Sequence, residues 1–410
     1  MREIKSEILE NGLQVIWHED QTLKHACVGM VGFCGSRDDP KGKEGLHHAA
    51  EHMALRGTQN YPSTLDLTEP VERFSGQIGA FTSLATLAYY CNLPKKFFQL
   101  ALTLCKETVF HPLHRDADWQ EEREVILKEH RQMLNDPRKC FNSALLQNCF
   151  AGTGLDHRPI GNEDTIRGIT IGDIRSCHFR NFSANNCALI LTGSLPDNFI
   201  ELVRDMFSLL EFYEGIDFRT SQDVVASEPN QWKLVHPAFS QAQIQTGQFK
   251  EAVLPSDWST LSLFAEMLGV GTLSSPLFQL LRVKLQLFYS GNAFTERLVP
   301  GITSAAFGCS TDFGKVEQVI DEYWRIVAAT KEDYNRFLFA KDRVFSSVES
   351  EECGAFSRFL EIVNRESYGD YMDQAEVLHI ISTTTFEQVR EMADRFFDRE
   401  KSYRLVAYKQ

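Results

Sequence analysis

His48, Glu51 and His52 form an HxxEH string, the reverse of the HExxH arrangement, within the run Gly45-Leu46-His47-His48-Ala49-Ala50-Glu51-His52-Met53. On a helix, residues three and four apart share a face, so both imidazoles and the carboxylate project the same way, while Ala49 and Ala50 favour the helix. Neutral imidazole nitrogens suit a borderline ion such as zinc. A carboxylate beside them can take a proton from a water whose pKa the metal lowers toward ~7. Two ligands are too few, so a third must come from elsewhere in the chain and leave one position open. His47, about 100° round the helix from His48, is expected to point away from the site.

A second helical stretch, Asp118 to His130, offers the best candidates for that third ligand. Glu122 and Glu129 stand seven residues apart on it, two turns along one face. Glu129 lies 77 residues after His52.

With these residues in view, the sequence resembles the pitrilysin/insulinase family of HxxEH zinc metallopeptidases, and within it the short-chain subgroup similar to mitochondrial processing peptidase subunits. Arg56-Gly57-Thr58, Asn60-Tyr61-Pro62-Ser63, Ala80-Phe81-Thr82-Ser83 and Tyr89-Tyr90 match the family's runs after its metal helix and along its substrate-binding strand. The resemblance implies one zinc per chain held by His48, His52 and Glu129, with Glu51 as general base. It implies that Glu122 orients a histidine, and that Ala80 and Phe81 line the substrate strand. Gly79 stands where members usually carry asparagine, and Ala85 where they carry glutamate.

Far along the chain, Arg282 and Tyr289 resemble the family's arginine and tyrosine pair. A guanidinium holds a peptide carbonyl or carboxylate and a phenol donates to a developing oxyanion. The resemblance thus makes Arg282 and Tyr289 substrate-binding, and adds Tyr289 to Glu51 and Glu122 in the catalytic set.

The elements that must position these groups occur in an order that is used twice. The first copy runs strand, strand, metal helix, paired strands ending near Cys91, a helix from Pro94, the Glu129 helix, a helix opened by Ile169 to Arg175, and a strand Ala188 to Thr192. The second copy shows alternation over Gln241 to Phe249, a helix near Leu261 to Leu268, a strand through Ala305 to Cys309 and a helix from Val316. It continues with a long helix from Glu332, a helix opened by Thr384 and Thr385, and a strand Tyr403 to Tyr408. Such a repeat predicts an α+β fold of two similar domains, each a mostly antiparallel sheet covered by helices. The boundaries read as 1–213 for the metal-bearing domain, 214–229 for a linker and 230–410 for the second domain. Ala265-Glu266-Met267-Leu268 occupies the place of Ala50 to Met53 without a histidine, so only the first domain is expected to hold metal.

Composition fits this picture. The 410 residues exceed what one core usually serves, and 43% hydrophobic with 24% charged residues is ordinary for a globular chain. A net charge of −14 argues against nucleic acid as a partner. No run of about 18 apolar residues suggests a membrane span, and the charged start of the chain does not read as a signal peptide, so a cytoplasmic location is expected. Ten cysteines scattered without a CxxC read as reduced core thiols.

In the family, two such domains form half of a clamshell that encloses a peptide. A chain of this length is therefore expected to dimerise, with itself or with a related chain. The expected activity is cleavage of short unfolded peptides; the alternative is a non-catalytic or partner-dependent subunit of a heterodimeric peptidase.

Overall fold

The computed structural model describes residues 4–183, 186–210, 226, 228–237, 239–251, 255–299, 302–350, 354–368, 372 and 374–409. Helices follow in chain order as α1 (Leu46–Ala54), α2 (Thr64–Glu72), α3 (Phe98–Phe110), α4 (Asp116–Asn135), α5 (Pro137–Cys149), α6 (Glu163–Gly168), α7 (Ile171–Asn181), α8 (Phe199–Phe207), α9 (Pro255–Leu268), α10 (Val316–Thr330), α11 (Tyr334–Glu349), α12 (Ala355–Tyr368), α13 (Gln374–Thr383) and α14 (Phe386–Phe396).

Two compact units result. The first contains a six-stranded sheet of β1 (Lys5–Ile8), β2 (Gln14–Glu19), β3 (His25–Gly32), β4 (Gln77–Thr82), β5 (Leu87–Pro94) and β6 (Cys187–Gly193), in spatial order β1-β2-β6-β3-β5-β4. In the second, β7 (Gln231–Val235), β8 (Ala242–Glu251), β9 (Phe288–Val299), β10 (Ile302–Thr311) and β11 (Tyr403–Tyr408) lie in order β7-β11-β8-β10-β9. Apart from β1 the two orders are the same. Each sheet has one parallel contact at the same place, β2 with β6 and β7 with β11, and the rest are antiparallel. The twofold α+β organisation expected from the repeat is thus present strand by strand.

The units are not continuous stretches of sequence. The first draws on 1–133, 153–222 and 352–371, the second on 134–152, 223–351 and 372–410. Helix α5, from the first half of the chain, packs on β7, and α12, from the second half, packs on β6 and β3. Repeat position explains the pairing, because each is the helix that follows the long one in its copy, α4 or α11. The expected linker at 214–229 falls almost wholly outside the described residues.

Local sequence explains where several helices begin. Asp136 caps α5 with Pro137 in its first turn, Thr170 caps α7 and Thr385 caps α14, each accepting main-chain N–H groups through its side chain. In the first unit, Tyr89, Phe98, Trp119 and the apolar face of α1 are buried together, and the Trp119 indole donates to the Ile169 carbonyl at 3.1 Å. In the second, Phe307 stacks on Tyr323 at 4.3 Å. Nine cysteines are buried free thiols, and Cys353 lies outside the described residues. Among the described residues, no helix is long and apolar enough to cross a membrane.

Candidate metal centre

α1 starts at Gly45, whose φ of 100° belongs to the left-handed region and whose Cα approaches the Ile160 carbonyl so closely that a Cβ would lie 2.7 Å from its oxygen. Ala49, Ala50 and Met53 face the core, and the buried Tyr89 phenol donates to the Ala50 carbonyl at 3.0 Å. The opposite face therefore carries His48, Glu51 and His52 outward, as their spacing requires. α4 runs past this face, bringing Glu122 and Glu129 to it.

The donor atoms converge. His48 Nε2 and His52 Nε2 are 3.2 Å apart, and Glu129 Oε2 lies 3.6 Å from His52 Nε2 and 3.9 Å from His48 Nε2. A tetrahedral zinc with bonds of about 2.1 Å separates its ligand atoms by about 3.4 Å, so the triangle has the right size. His52 presents its Nε2 lone pair because Glu122 Oε1 accepts from Nδ1 at 2.8 Å. Two ring nitrogens at this separation repel if both present lone pairs, and a cation between them removes the conflict. Among the described residues this is the one cluster of three or more such groups close enough to hold a metal.

The electrostatics of the three groups differ. Burial, aided by the charge of His52, pushes His48 down to about 3, so it is neutral and able to ligate. For His52 burial also disfavours the cation, but the Glu122 hydrogen bond and the charges of Glu129 and Glu51 outweigh it and raise its pKa. Burial raises Glu51 above the usual carboxylate range, opposed by the Thr82 hydroxyl, which donates to Oε2 at 2.5 Å, and by His52. A carboxyl shifted upward holds a proton more readily than an ordinary one, which suits a group that must take a proton and give it back.

The sequence reading missed three residues around this centre. Thr82, inside the Ala-Phe-Thr-Ser run, fixes Glu51. Arg56 reaches Glu122 Oε2 at 3.2 Å and Glu121 at 2.7 Å, holding the orienting carboxylate. Asp39 lies under the start of α1; its signal was an acid a few residues before a helix whose own cap is glycine. His47 points away from the centre as expected, into the core, where it is fully buried against Asp39.

The other candidates sit on separate elements. Ala80 and Phe81 sit half-buried on β4, which forms the edge of the first sheet. Arg282, in a π-helical turn at Phe278–Lys284, lays its guanidinium 4.6 Å from the ring centre of Tyr289 on β9, a residue that is 68% exposed. They belong to the second unit. In that unit the repeat puts Glu266 of α9 and Arg343 of α11 in a 2.6 Å ion pair, while Arg336 Nε donates to the Met267 carbonyl at 3.0 Å. Arg336 and Arg343 stand seven apart on α11 as Glu122 and Glu129 do on α4, so guanidinium groups occupy the places of the carboxylates.

The profile of the insulinase family, peptidase family M16, matches residues 14–162, and that of the peptidase M16 inactive domain matches residues 168–340. The chain belongs to peptidase family M16. Among relatives of this M16 chain, the uncharacterized zinc protease YmxG of Bacillus subtilis is 20% identical over 98% of both chains. A probable mitochondrial-processing peptidase subunit beta of Arabidopsis thaliana is 24% identical over 65% of this chain and 50% of its own. A protease from Helicobacter pylori has the same fold with a TM-score of 0.89 at 19% identity, covering all of both chains. The inactive-domain profile falls largely on the second unit, where Ala265 to Leu268 of α9 carry no histidine in the place of His52.

Proposed function

We propose that this M16 chain is a zinc-dependent endopeptidase that cuts short, unfolded peptides inside a chamber formed with a second chain. The observation that carries the reading is the triangle of His48, His52 and Glu129 with the Glu51 carboxylate one helical turn away. Zinc bound there would polarise a peptide carbonyl and acidify a water. Glu51, positioned by Thr82, takes the proton of the attacking water and returns it to the leaving nitrogen. The outer edge of β4 carries no strand among the described residues and offers its main-chain groups to an extended peptide, beside Ala80 and Phe81. Arg282 and Tyr289 bind the substrate, Tyr289 donating to the developing oxyanion.

A second reading is a partner-dependent subunit of a heterodimeric peptidase, in which the metal ligands of the first unit and the Arg282/Tyr289 pair of the second act only once a related chain is bound. Relatives include a probable peptidase subunit. Metal analysis and cleavage of a mixed peptide library by wild type and Glu51→Gln test both. About one zinc per chain in each protein, with cutting by wild type alone, supports the peptidase; zinc without cutting by either supports the dependent subunit. Absence of zinc from both overturns the metal reading.

A further inference from the structure

The two histidines of the centre are held in different ways. His52 has Glu122 on its far nitrogen, but Nδ1 of His48 is buried and meets no hydrogen-bond partner among the described residues. A ligating imidazole normally has its second nitrogen fixed by an acceptor. Without one, the direction of the His48 ring depends on its backbone, which lies in the first turn of a nine-residue helix. First turns fray, because their N–H groups lack intrahelical acceptors. The cap residue here is Gly45, with no side chain to supply one.

Asp39 takes over that task. Its side chain is wholly buried, Oδ2 accepts from Gly45 N at 2.7 Å, and Oδ1 accepts from His47 N at 3.0 Å and faces His47 Nδ1 at 2.6 Å. One carboxylate thus caps the start of α1 and pins the side chain of the residue next to His48. Its negative charge at the helix N-terminus adds to the hold. His157, whose Nε2 is 2.9 Å from the Ser36 carbonyl and 3.6 Å from Asp39 Oδ2, braces the carboxylate from the other side.

We infer that Asp39 is a positioning residue for the metal centre, setting the direction of His48 through the backbone as Glu122 sets His52 through its ring. The inference rests on the zinc reading above. It predicts that removing this carboxylate damages metal binding in a protein that is still folded, by the amount expected for loss of an orienting partner, about 10–100-fold in affinity.

The experiment loads wild type, Asp39→Ala and Asp39→Asn with Zn²⁺ and, separately, with Co²⁺, whose visible bands report ligand geometry. Dissociation constants and spectra are set beside the thermal midpoints of the metal-free proteins. The expected result is weaker zinc and an altered cobalt spectrum in Asp39→Ala, with a smaller change in Asp39→Asn, which keeps one acceptor oxygen. If Asp39→Ala does not fold, Asp39→Asn carries the test with the same readouts. Folded variants whose affinity and cobalt bands match wild type, even at a lower midpoint, overturn the inference and leave the zinc reading standing. A wild-type chain that takes up neither ion overturns both.

Discussion

Glu122 Oε1 stands 2.8 Å from His52 Nδ1, and Arg56 stands 3.2 Å from the other oxygen of the same carboxylate. The three side chains form a line from solvent to the metal position, in which each fixes the next. Glu122→Gln removes the charge at its middle. Zinc affinity should fall about 10–100-fold, read by chelator competition, with the fold retained. Unchanged affinity would place the orientation of His52 elsewhere.

Glu51 accepts from the Thr82 hydroxyl and is not part of the cluster formed by His48, His52 and Glu129. Glu51→Gln should keep about one zinc per chain and lose about 10²–10⁴-fold in peptide cleavage, whereas His48→Ala and Glu129→Ala should lose zinc and activity together. Elemental analysis beside a fluorogenic peptide assay separates the two classes. An active, zinc-loaded Glu129→Ala protein refutes that ligand.

Acid should destabilise the first unit through two buried histidines. Burial holds His114 down to about 3 with help from His178 and Arg175, and brings His178 down to about 4 despite its bond to the Val109 carbonyl. An unfolded histidine titrates near about 6.5, so below that the unfolded chain binds protons that the folded one refuses. Stability is therefore full above about 6.5 and falls as the pH drops toward about 4. Urea midpoints measured across this range should show the fall, and His178→Gln, which can still bond Val109, should show a shallower one. Equal slopes would remove His178 from the explanation.

Gly45→Ala combines a left-handed φ with a Cβ set against the Ile160 carbonyl. The backbone alone costs about 1–2 kcal/mol. A lowered thermal midpoint, together with weaker zinc binding because the His48 turn shifts, is the expected outcome; a midpoint equal to wild type would show that the loop at 157–161 moves freely aside.

Much of this was legible in the sequence because periodicity and caps are local. The HxxEH helix, the α4 helix with Glu122 and Glu129, the closing strands and the Thr170 and Thr385 starts all lie where the pattern puts them. The convergence of Glu129 on the two histidines came from family resemblance, since no local signal says which carboxylate of α4 meets α1. Thr82 and Asp39 were missed for the same reason, their partners being set by packing. Helices α5 and α12 were missed as well. Nothing in an amphipathic pattern states which sheet it will cover.

That last exchange bears on how the chain is made. Phe359, Ile362 and Val363 of α12 are buried with Ile16, Cys27, Val31 and Ile190 of the first sheet, and Gly29 leaves the room for the Phe359 ring. The last strand of that sheet ends at Gly193, and α12 begins at Ala355, 162 residues later. At about 5–20 residues per second, a ribosome needs roughly 8–30 s to supply them. For that interval one apolar side of a sheet whose six strands have all been synthesised lacks its native cover. The nascent first half is thus a natural client for a chaperone, and a chain truncated before α12 is a natural source of aggregate.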